Sequence, residues 1–228
     1  MAIQIFIAGD STASNYPPDQ APRMGWAQVL QNFFTSEVVV KNHAASGRSS
    51  KSFITEGRLD VILENIKEND YFFIQFGHND EKPDKERSTE PYTTYKECLT
   101  QYINGARKKG AIPILLTSIN RRSFTKNGKI QSTHGDYPKA MKELAKELNV
   151  PIIDMTEKTK TFFEELGEEK TKKIFLWLKP GEHPNYPEGV EDNTHLHEQG
   201  AIAIAKLVLE GIKENKLPIG SFIKNNNR

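Results

Sequence analysis

A serine placed directly after a buried strand is the feature of this chain that most directly suggests chemistry. Residues 3–8 are almost continuously apolar, and the run ends abruptly in Gly9-Asp10-Ser11. Such a run is typical of a buried parallel strand, and open α/β sheets bind their ligands beyond the carboxyl ends of the strands. Ser11 is therefore a candidate nucleophile. The sequence is not Gly-x-Ser-x-Gly, so the α/β-hydrolase elbow is not the template, and Gly-Asp-Ser is also an ordinary turn sequence.

A serine hydroxyl becomes a good nucleophile only when a base removes its proton and a third group orients that base. Asp192 and His195 stand three positions apart, just before an amphipathic helical pattern. In a helical or turn conformation such side chains share one side, so Asp192 could hold one ring nitrogen of His195 and leave the other facing Ser11. The simpler interpretation is that Asp192, Asn193 or Thr194 caps the following helix. The chain order serine, aspartate, histidine favours a catalytic triad.

Two internal segments offer the donors that acyl transfer needs for a developing oxyanion. Gly47 follows the strand-like residues 38–40 and would let the backbone approach a ligand closely. Asn79 follows the strand-like residues 71–73 and offers a side-chain amide. Taken singly, each is an ordinary turn residue. Their order between Ser11 and His195 makes an oxyanion role the more informative hypothesis.

Together, these segments resemble the four blocks of the SGNH, or GDSL-type, hydrolase superfamily. The resemblance extends from about residue 3 to residue 212 and shows no departure at the expected catalytic positions. Further stretches are similar to one branch, the rhamnogalacturonan acetylesterases. The superfamily blocks are Gly9-Asp10-Ser11, Gly47, Gly77-His78-Asn79-Asp80 and Asp192-x-x-His195, and the branch-specific stretches include Gly25-Trp26, Gly47-Arg48-Ser49-Ser50-Lys51-Ser52-Phe53 and Glu56-Gly57-Arg58.

The resemblance implies a serine carbohydrate esterase that works without a cofactor. Ser11 would attack an acetyl carbonyl, His195 would act as base, and Asp192 would hold the histidine tautomer. The backbone N–H groups of Ser11 and Gly47 and the amide of Asn79 would form the oxyanion hole. The branch implies O-acetyl groups on pectin-derived rhamnogalacturonan oligosaccharides as the substrate. Because such residues define a reaction class and not a leaving group, lipases, thioesterases and esterases of acetylated xylan fragments stay open as alternatives.

Basic residues near the expected site suggest an anionic substrate. Arg121 and Arg122 follow the fourth predicted strand, and Arg48 lies beside the proposed oxyanion glycine. We predict that Arg48, Arg121 and Arg122 bind carboxylates of an acetylated acidic oligosaccharide, since a guanidinium binds that group bidentately. The alternative is a solvated loop with ordinary surface charges. Trp26 and Trp177 could stack on sugar faces, although large aromatics are more often core residues.

The bulk properties exclude several classes of protein. With 36% hydrophobic and 27% charged residues, the 228-residue chain has a globular composition. A net charge of +1 predicts neither nucleic acid nor membrane as a partner. Cys98 is the single cysteine, so no intrachain disulfide can form. Residues 1–4 lead directly into the first strand. The basic segment and the apolar core of a signal peptide are not recognisable there, so we expect a cytoplasmic protein. The sequence does not indicate an oligomeric state.

Alternating strand and helix patterns predict the fold. We expect one SGNH hydrolase domain over residues 1–228, with residues 224–228 fraying at the tail. The alternation favours parallel βαβ units and a three-layer α/β/α sandwich around a five-stranded, flavodoxin-like parallel sheet. The predicted strands lie near residues 3–8, 37–42, 70–76, 111–117 and 150–154, and the predicted helices near 24–34, 55–66, 92–109, 137–148, 157–168 and 197–214.

Three functions from other classes compete with the esterase. The first is a metal hydrolase, suggested by Asp192, His195, His197 and His183. A catalytic zinc site usually has three protein ligands and an open position, and no His-Glu-x-x-His is present, so we predict no metal. The second is a nucleotide-binding module, but the chain has no Gly-x-Gly-x-x-Gly. The third is a non-catalytic carbohydrate-binding relative, which would not need the whole set of catalytic residue types.

Overall fold

A five-stranded parallel sheet forms the centre of the protein. The computed structural model describes residues 2–224. The strand order is β2-β1-β3-β4-β5, and every neighbouring pair is parallel. This arrangement confirms the predicted flavodoxin-like fold. The strands are β1 (Ile3–Gly9), β2 (Val38–Asn42), β3 (Tyr71–Gln75), β4 (Ile112–Leu116) and β5 (Ile152–Ile153).

Alternation along the strands builds two apolar cores, one on each face of the sheet. In β1, Ile5 and Ile7 point into the core formed with the first and last helices of the chain. Phe6 and Ala8 point into the core on the opposite face. Because successive side chains of a strand point to opposite faces, a fully apolar strand buries both of its sides. The nearly continuous apolar pattern of residues 3–8 thus indicates a central strand covered by helices on both faces.

In the part of the chain that the structure describes, eight α-helices surround the sheet. The predicted helix at residues 24–34 is shorter than expected, because α1 ends at Leu30 and a 3-10 turn, Gln31–Phe33, follows it. A π-turn, Pro91–Tyr95, precedes α4. The helices are α1 (Trp26–Leu30), α2 (Ser50–Thr55), α3 (Arg58–Asn65), α4 (Lys96–Lys108), α5 (Tyr137–Glu147), α6 (Met155–Leu166), α7 (Glu168–Thr171) and α8 (Glu198–Glu214).

A two-stranded antiparallel hairpin lies outside the central sheet, and the sequence analysis did not predict it. Its strands are β6 (Phe175–Leu178) and β7 (Val190–Leu196). With Pro180, Pro184 and Pro187, the sequence of residues 178–192 is typical of a stiffened loop, but residues 190–192 already belong to β7. The polar run Glu191-Asp192-Asn193-Thr194 has the composition of a turn, so pairing with the apolar β6 had no local signal.

The C-terminal end of the described chain is held by hydrogen bonds, whereas the sequence predicted fraying from residue 224. Lys224 donates its backbone N–H to the Phe33 oxygen at 2.8 Å and its Nζ to the Asn32 oxygen at 2.9 Å. The rest of the predicted frayed tail, residues 225–228, lies outside the described residues. Across residues 2–224, the structure contains no helix with the length and apolar character needed to cross a membrane.

Parallel pairing brings the polar motifs to one edge of the sheet. Gly9 at the end of β1 pairs with Gln75 at the end of β3, and Ile7 pairs with Asn42 at the end of β2. The segments that contain Ser11, Gly47 and Asn79 follow these three strand ends. Since carboxyl ends of parallel strands meet at one edge, residues far apart in sequence gather there.

Candidate active site

Ser11, His195 and Asp192 form one hydrogen-bonded chain at this edge. The Nε2 atom of His195 lies 3.0 Å from the Ser11 hydroxyl. The other ring nitrogen, Nδ1, lies 2.6 Å from Asp192 Oδ2. With the proton on Nδ1, His195 accepts from the serine and donates to the carboxylate. This is the arrangement in which a base can activate a serine and a carboxylate fixes the tautomer.

The Asp192 side chain is held by the backbone of the residues that follow it. Its Oδ1 atom accepts the backbone N–H groups of Thr194 at 2.7 Å and of His195 at 2.9 Å. Burial by itself would raise the pKa of the Asp192 carboxyl, but the hydrogen bonds from His195 and Thr194 lower it to about 2. A carboxylate with this pKa stays charged wherever an esterase operates and can stabilise an imidazolium.

The conformation of this segment differs from the prediction. Asp192 and His195 lie on β7 and not in a helix or its first turn. A turn closed by the Asp192 side chain brings the two side chains together. The cap of α8 is His197, whose side chain accepts the Gln199 N–H, so the alternative in which Asp192, Asn193 or Thr194 caps the helix is wrong.

The turn that carries Ser11 is braced from inside the protein. Asp10 Oδ1 accepts the backbone N–H of Thr12 at 2.9 Å and its hydroxyl at 2.8 Å. The N-terminus of α1 packs against the same turn, and a Cβ built on Gly25 would lie 2.1 Å from the Ser14 oxygen. Only glycine permits this close approach. The serine is thus held on a rigid turn.

Trp26 does not stack on a sugar. Its side chain is fully buried, and its Nε1 donates to the Gln75 side chain at 2.8 Å. Of the two roles that the sequence left open for Trp26, sugar stacking or the core, the structure supports the core, because the indole lies beneath the nucleophile turn.

Gly47 has the conformation that its residue type suggests. Its φ of +80° lies in the left-handed region, where glycine carries no steric penalty. A Cβ at this position would meet no atom within 4 Å, so the backbone conformation and not crowding favours glycine. Within residues 2–224, the N–H groups of Gly47 and Ser11 donate to no protein acceptor. Both donors are thus available to a ligand.

Asn79 is nearly buried beside the Gly47 loop. Its Nδ2 donates to the Arg48 backbone oxygen at 3.1 Å. That bond uses one amide proton and leaves the second, while Arg87 Nη1 approaches Asn79 Oδ1 at 3.4 Å. The side chain is therefore held in a set orientation with one donor free. The roles of Ser11, Gly47 and Asn79 in an oxyanion hole stay a prediction.

Asp80 links the Asn79 segment to α2 through buried hydrogen bonds. Its carboxyl accepts the Ser50 hydroxyl at 2.5 Å, the Ser50 N–H at 3.1 Å and the Thr89 hydroxyl at 3.1 Å. Burial raises the pKa of Asp80 to about 7, against the opposing effect of these hydrogen bonds. A carboxyl with a pKa near neutrality therefore joins the loop after β3 to the start of α2, which follows Gly47.

This raised pKa predicts a pH-dependent stability. Between the ordinary value of 3.8 and about 7, the folded state keeps a proton on Asp80 that the unfolded state has lost. The Asp80 contribution to the free energy of unfolding therefore falls as pH rises through this window, by about 1.4 kcal/mol per unit. An Asp80→Asn variant cannot ionise at this position. We expect its free energy of unfolding, measured by urea denaturation, to gain on wild type as pH rises and to level off above the window. A difference that is constant with pH would contradict the expectation.

A second buried aspartate–histidine pair lies behind the nucleophile, and the sequence analysis gave it no role. His78 Nδ1 lies 3.3 Å from Asp10 Oδ2, and the His78 ring meets the edge of the His134 ring at 4.3 Å. Burial would raise the pKa of Asp10, but the charge and hydrogen bond of His78 and the donors of Thr12 lower it overall. The pair joins the turn of Ser11 to the segment of Asn79. Its members stand inside the recognised motifs, whereas His134 had no sequence signal.

The three predicted substrate arginines all have protein partners. Arg48 Nε lies 3.0 Å from Glu56, and Arg121 Nη2 lies 2.5 Å from Glu81. Arg122 is 8% exposed, and its Nη2 donates to the Glu168 backbone oxygen at 2.9 Å. Direct binding of a substrate carboxylate would therefore compete with a glutamate at Arg48 and at Arg121. The structure does not favour that role, and for the buried Arg122 it favours a structural one.

Arg122 and Trp177 support β7 from its outer side. The backbone N–H of Arg122 donates to the Asn193 oxygen at 2.8 Å, and the indole Nε1 of Trp177 donates to Asn193 Oδ1 at 3.0 Å. The guanidinium of Arg122 lies 4.9 Å from the centre of the Trp177 ring. These contacts hold Asn193, the residue between Asp192 and Thr194, so the Arg122 backbone and the Trp177 side chain help to position the aspartate.

The ring of His195 has no nitrogen left for a metal ion, because Ser11 and Asp192 occupy both. His197 is committed to the cap of α8, and His183 Nδ1 accepts the Asn185 N–H at 3.2 Å. Within the described residues, no group of three or more His, Cys, Asp or Glu side chains is arranged to hold a metal ion. The residues that suggested a metal hydrolase therefore do not form a ligand set.

Similar proteins share this framework. A model of the GDSL-like lipase/acylhydrolase family matches residues 7–201. The chain is 54% identical over 217 residues to a rhamnogalacturonan acetylesterase of Bacillus subtilis (strain 168), which covers 95% of this chain and 92% of that protein. It is 46% identical over 224 residues to a probable rhamnogalacturonan acetylesterase of the same strain, covering 98% of both chains.

Solved structures show the same fold. The crystal structure of the Bacillus subtilis protein YxiM is similar with a TM-score of 0.82 at 29% identity, covering 96% of this chain and 58% of that one. An acetylxylan esterase from Geobacillus stearothermophilus is similar with a TM-score of 0.65 at 17% identity, covering 92% and 94%. The second likeness shows the fold alone. The family match and the close relatives confirm the resemblance that the four sequence blocks predicted, and the chain belongs to the GDSL-like lipase/acylhydrolase family.

Proposed function

We propose that this protein is a serine esterase that removes O-acetyl groups from rhamnogalacturonan-derived oligosaccharides. The hydrogen-bonded chain from Ser11 through His195 to Asp192 is the observation that carries the reaction class. The proposed substrate class is supported by a relative that is 54% identical over most of both chains and is named a rhamnogalacturonan acetylesterase. The likeness to an acetylxylan esterase, at 17% identity, supports no substrate.

In the first half of the proposed reaction, the Ser11 Oγ attacks the acetyl carbonyl carbon and its proton moves to His195 Nε2. The carbonyl oxygen becomes an oxyanion, which the N–H groups of Ser11 and Gly47 and the free amide proton of Asn79 stabilise. The intermediate then breaks its bond to the sugar oxygen. His195 gives its proton to that oxygen, the deacetylated sugar leaves, and an acetyl group remains on Ser11.

In the second half, water attacks the acetyl carbon while His195 takes one of its protons. The same donors stabilise the second oxyanion. The bond between the acetyl carbon and Ser11 Oγ breaks, acetate leaves, and His195 returns its proton to the serine. Asp192 stays ionised throughout, because its pKa of about 2 keeps it charged while the imidazolium forms.

Acetate release decides the substrate class. The purified protein would be given acetylated rhamnogalacturonan fragments and acetylated xylan fragments at equal acetyl concentration. We expect the higher kcat/KM on the rhamnogalacturonan fragments. A higher value on the xylan fragments would overturn the substrate class and leave only the esterase reaction. The cytoplasmic location stays a prediction, which fractionation of cells that produce the protein would test.

Chelators should have no effect on this activity. The proposed reaction uses only side chains and backbone donors, and both nitrogens of His195 are engaged by Ser11 and Asp192. We expect equal turnover of a chromogenic acetate ester before and after dialysis against EDTA. Loss of activity that zinc restores would instead support the metal hydrolase.

A further inference from the structure

Arg23 lies next to the proposed catalytic residues, although the sequence analysis assigned it no role. It forms an antiparallel bridge with His197, two residues after His195. The following residue, Met24, donates its N–H to the Leu196 oxygen at 3.0 Å. The backbone of Arg23 is therefore fixed against the end of β7, the strand that carries the histidine.

The guanidinium of Arg23 reaches the residue that carries the nucleophile through one tyrosine. Its Nη2 donates to the Tyr16 hydroxyl at 3.1 Å, and its Cζ lies 4.4 Å from the centre of the Tyr16 ring. The Tyr16 hydroxyl donates in turn to the Ser11 backbone oxygen at 2.6 Å. A fixed positive charge is thus two hydrogen bonds away from Ser11.

Arg23 differs from the three arginines predicted from the sequence, because no carboxylate neutralises it. Within residues 2–224, no Asp or Glu oxygen lies within salt-bridge distance of its guanidinium, whereas Arg48 and Arg121 both pair with glutamates. Its Nη1 donates to no described residue and its Nη2 donates to Tyr16 alone, so the Nη end of the guanidinium keeps unused donors, while its Nε is buried without an acceptor. A guanidinium with unmatched donors is suited to bind a carboxylate through two parallel hydrogen bonds.

A second tyrosine stands near this charge on the proline-rich loop between β6 and β7. The Tyr186 hydroxyl donates to the Gln20 oxygen at 3.1 Å, and Asn185 Nδ2 donates to the Ala21 oxygen at 2.9 Å. These bonds tie the loop to the segment that leads into Arg23. Burial raises the pKa of Tyr186, the charge of Arg23 acts against that rise, and the charge of Asp192 acts with it. The charges of Arg23 and of the proposed catalytic aspartate therefore both act on the Tyr186 hydroxyl.

We propose that Arg23 binds a carboxylate of an acidic sugar unit neighbouring the acetylated one, with Tyr16 and Tyr186 as the adjoining aromatic surfaces. This inference rests on the proposed function and deepens it, because it assigns the recognition of an acidic oligosaccharide to one side chain. It replaces Arg48, Arg121 and Arg122, whose guanidinium groups already have protein partners.

The experiment combines a change in the protein with a change in the substrate. Acetylated rhamnogalacturonan fragments with free carboxylates and the same fragments as methyl esters would be compared on wild type and Arg23→Gln. In wild type, we expect methyl esterification to lower kcat/KM by about tenfold or more, since a hydrogen-bonded charge is lost. In Arg23→Gln, we expect esterification to have little effect. Arg23→Lys, which keeps a point charge but not the fork, should restore part of the preference.

Arg58→Gln is the matched control, because Arg58 is an exposed arginine that already pairs with Glu56 at 2.7 Å. We expect it to keep the full wild-type preference for free carboxylates. An equal loss by Arg23→Gln on both forms of the fragment would overturn the inference and leave Arg23 as a support for Tyr16. Should the glutamine variant not fold, the lysine variant and the salt dependence of wild type decide, because salt should weaken only the carboxylate substrate. Failure of the proposed function is distinct, since wild type would then release acetate from neither form.

Discussion

Replacement of Ser11 by alanine is expected to lower kcat on acetate esters by about 10⁴-fold or more. The hydroxyl lies 3.0 Å from His195 Nε2, and alanine leaves the base with no nucleophile to activate. Only the oxyanion donors and substrate binding would remain, which explains why some catalysis above the uncatalysed rate should persist. The measurement is the steady-state turnover of a chromogenic acetate ester and of acetylated oligosaccharides.

Covalent trapping makes the same prediction more specific. Rapid quenching of the wild type during turnover, followed by mass spectrometry of its peptides, should place one acetyl group on the peptide that contains Ser11. Ser36→Ala serves as the control, because Ser36 is an exposed serine near the opposite end of the sheet. It should retain full turnover. Near-native activity in Ser11→Ala, or an acetyl group trapped on a different residue, would contradict the whole mechanism.

Replacement of Asn79 by alanine is expected to lower kcat by about 10²–10³-fold, the usual cost of removing one oxyanion donor. The amide of Asn79 is nearly buried and keeps one proton free beside the loop of Gly47. Charge on the carbonyl oxygen is largest in the transition state, so the loss should fall on kcat far more than on KM.

The bond from Asn79 to the Arg48 oxygen leaves open a purely structural effect of the same substitution. Affinity for a negatively charged tetrahedral analogue separates the two, because a donor to the oxyanion should lose analogue affinity by about the same factor as kcat. Asn65→Ala on α3 is a control for loss of an amide, since its Nδ2 bonds only within its own helix. Turnover close to wild type in Asn79→Ala would remove this residue from the oxyanion hole.

Local sequence patterns were sufficient to identify the central sheet and the ester hydrolase class. The apolar run of residues 3–8 identified a central strand, because burial on both faces leaves no room for a polar alternation. The strands near 70–76 and 111–117 followed from the same rule. The strand near 37–42 lies at the edge of the sheet and is only partly buried, so its valine run and not two-sided burial predicted it. The serine, glycine, asparagine and aspartate–histidine blocks could be recognised because each is a short local motif. Their residue types supply the functional groups of the proposed reaction.

Tertiary contacts, in contrast, determine which charged and aromatic side chains are free to meet a substrate. Arg122 was predicted to bind substrate, and for Trp26 both sugar stacking and a place in the core were open; the fold buries both. Arg23 had no signal, and its importance arises from Tyr16 and from the bridge to His197. The hairpin that carries Asp192 was likewise invisible, because its polar strand is stabilised by pairing with β6. Burial and charge pairing depend on residues distant in sequence, so a local pattern can name a functional group but cannot tell which partner neutralises it.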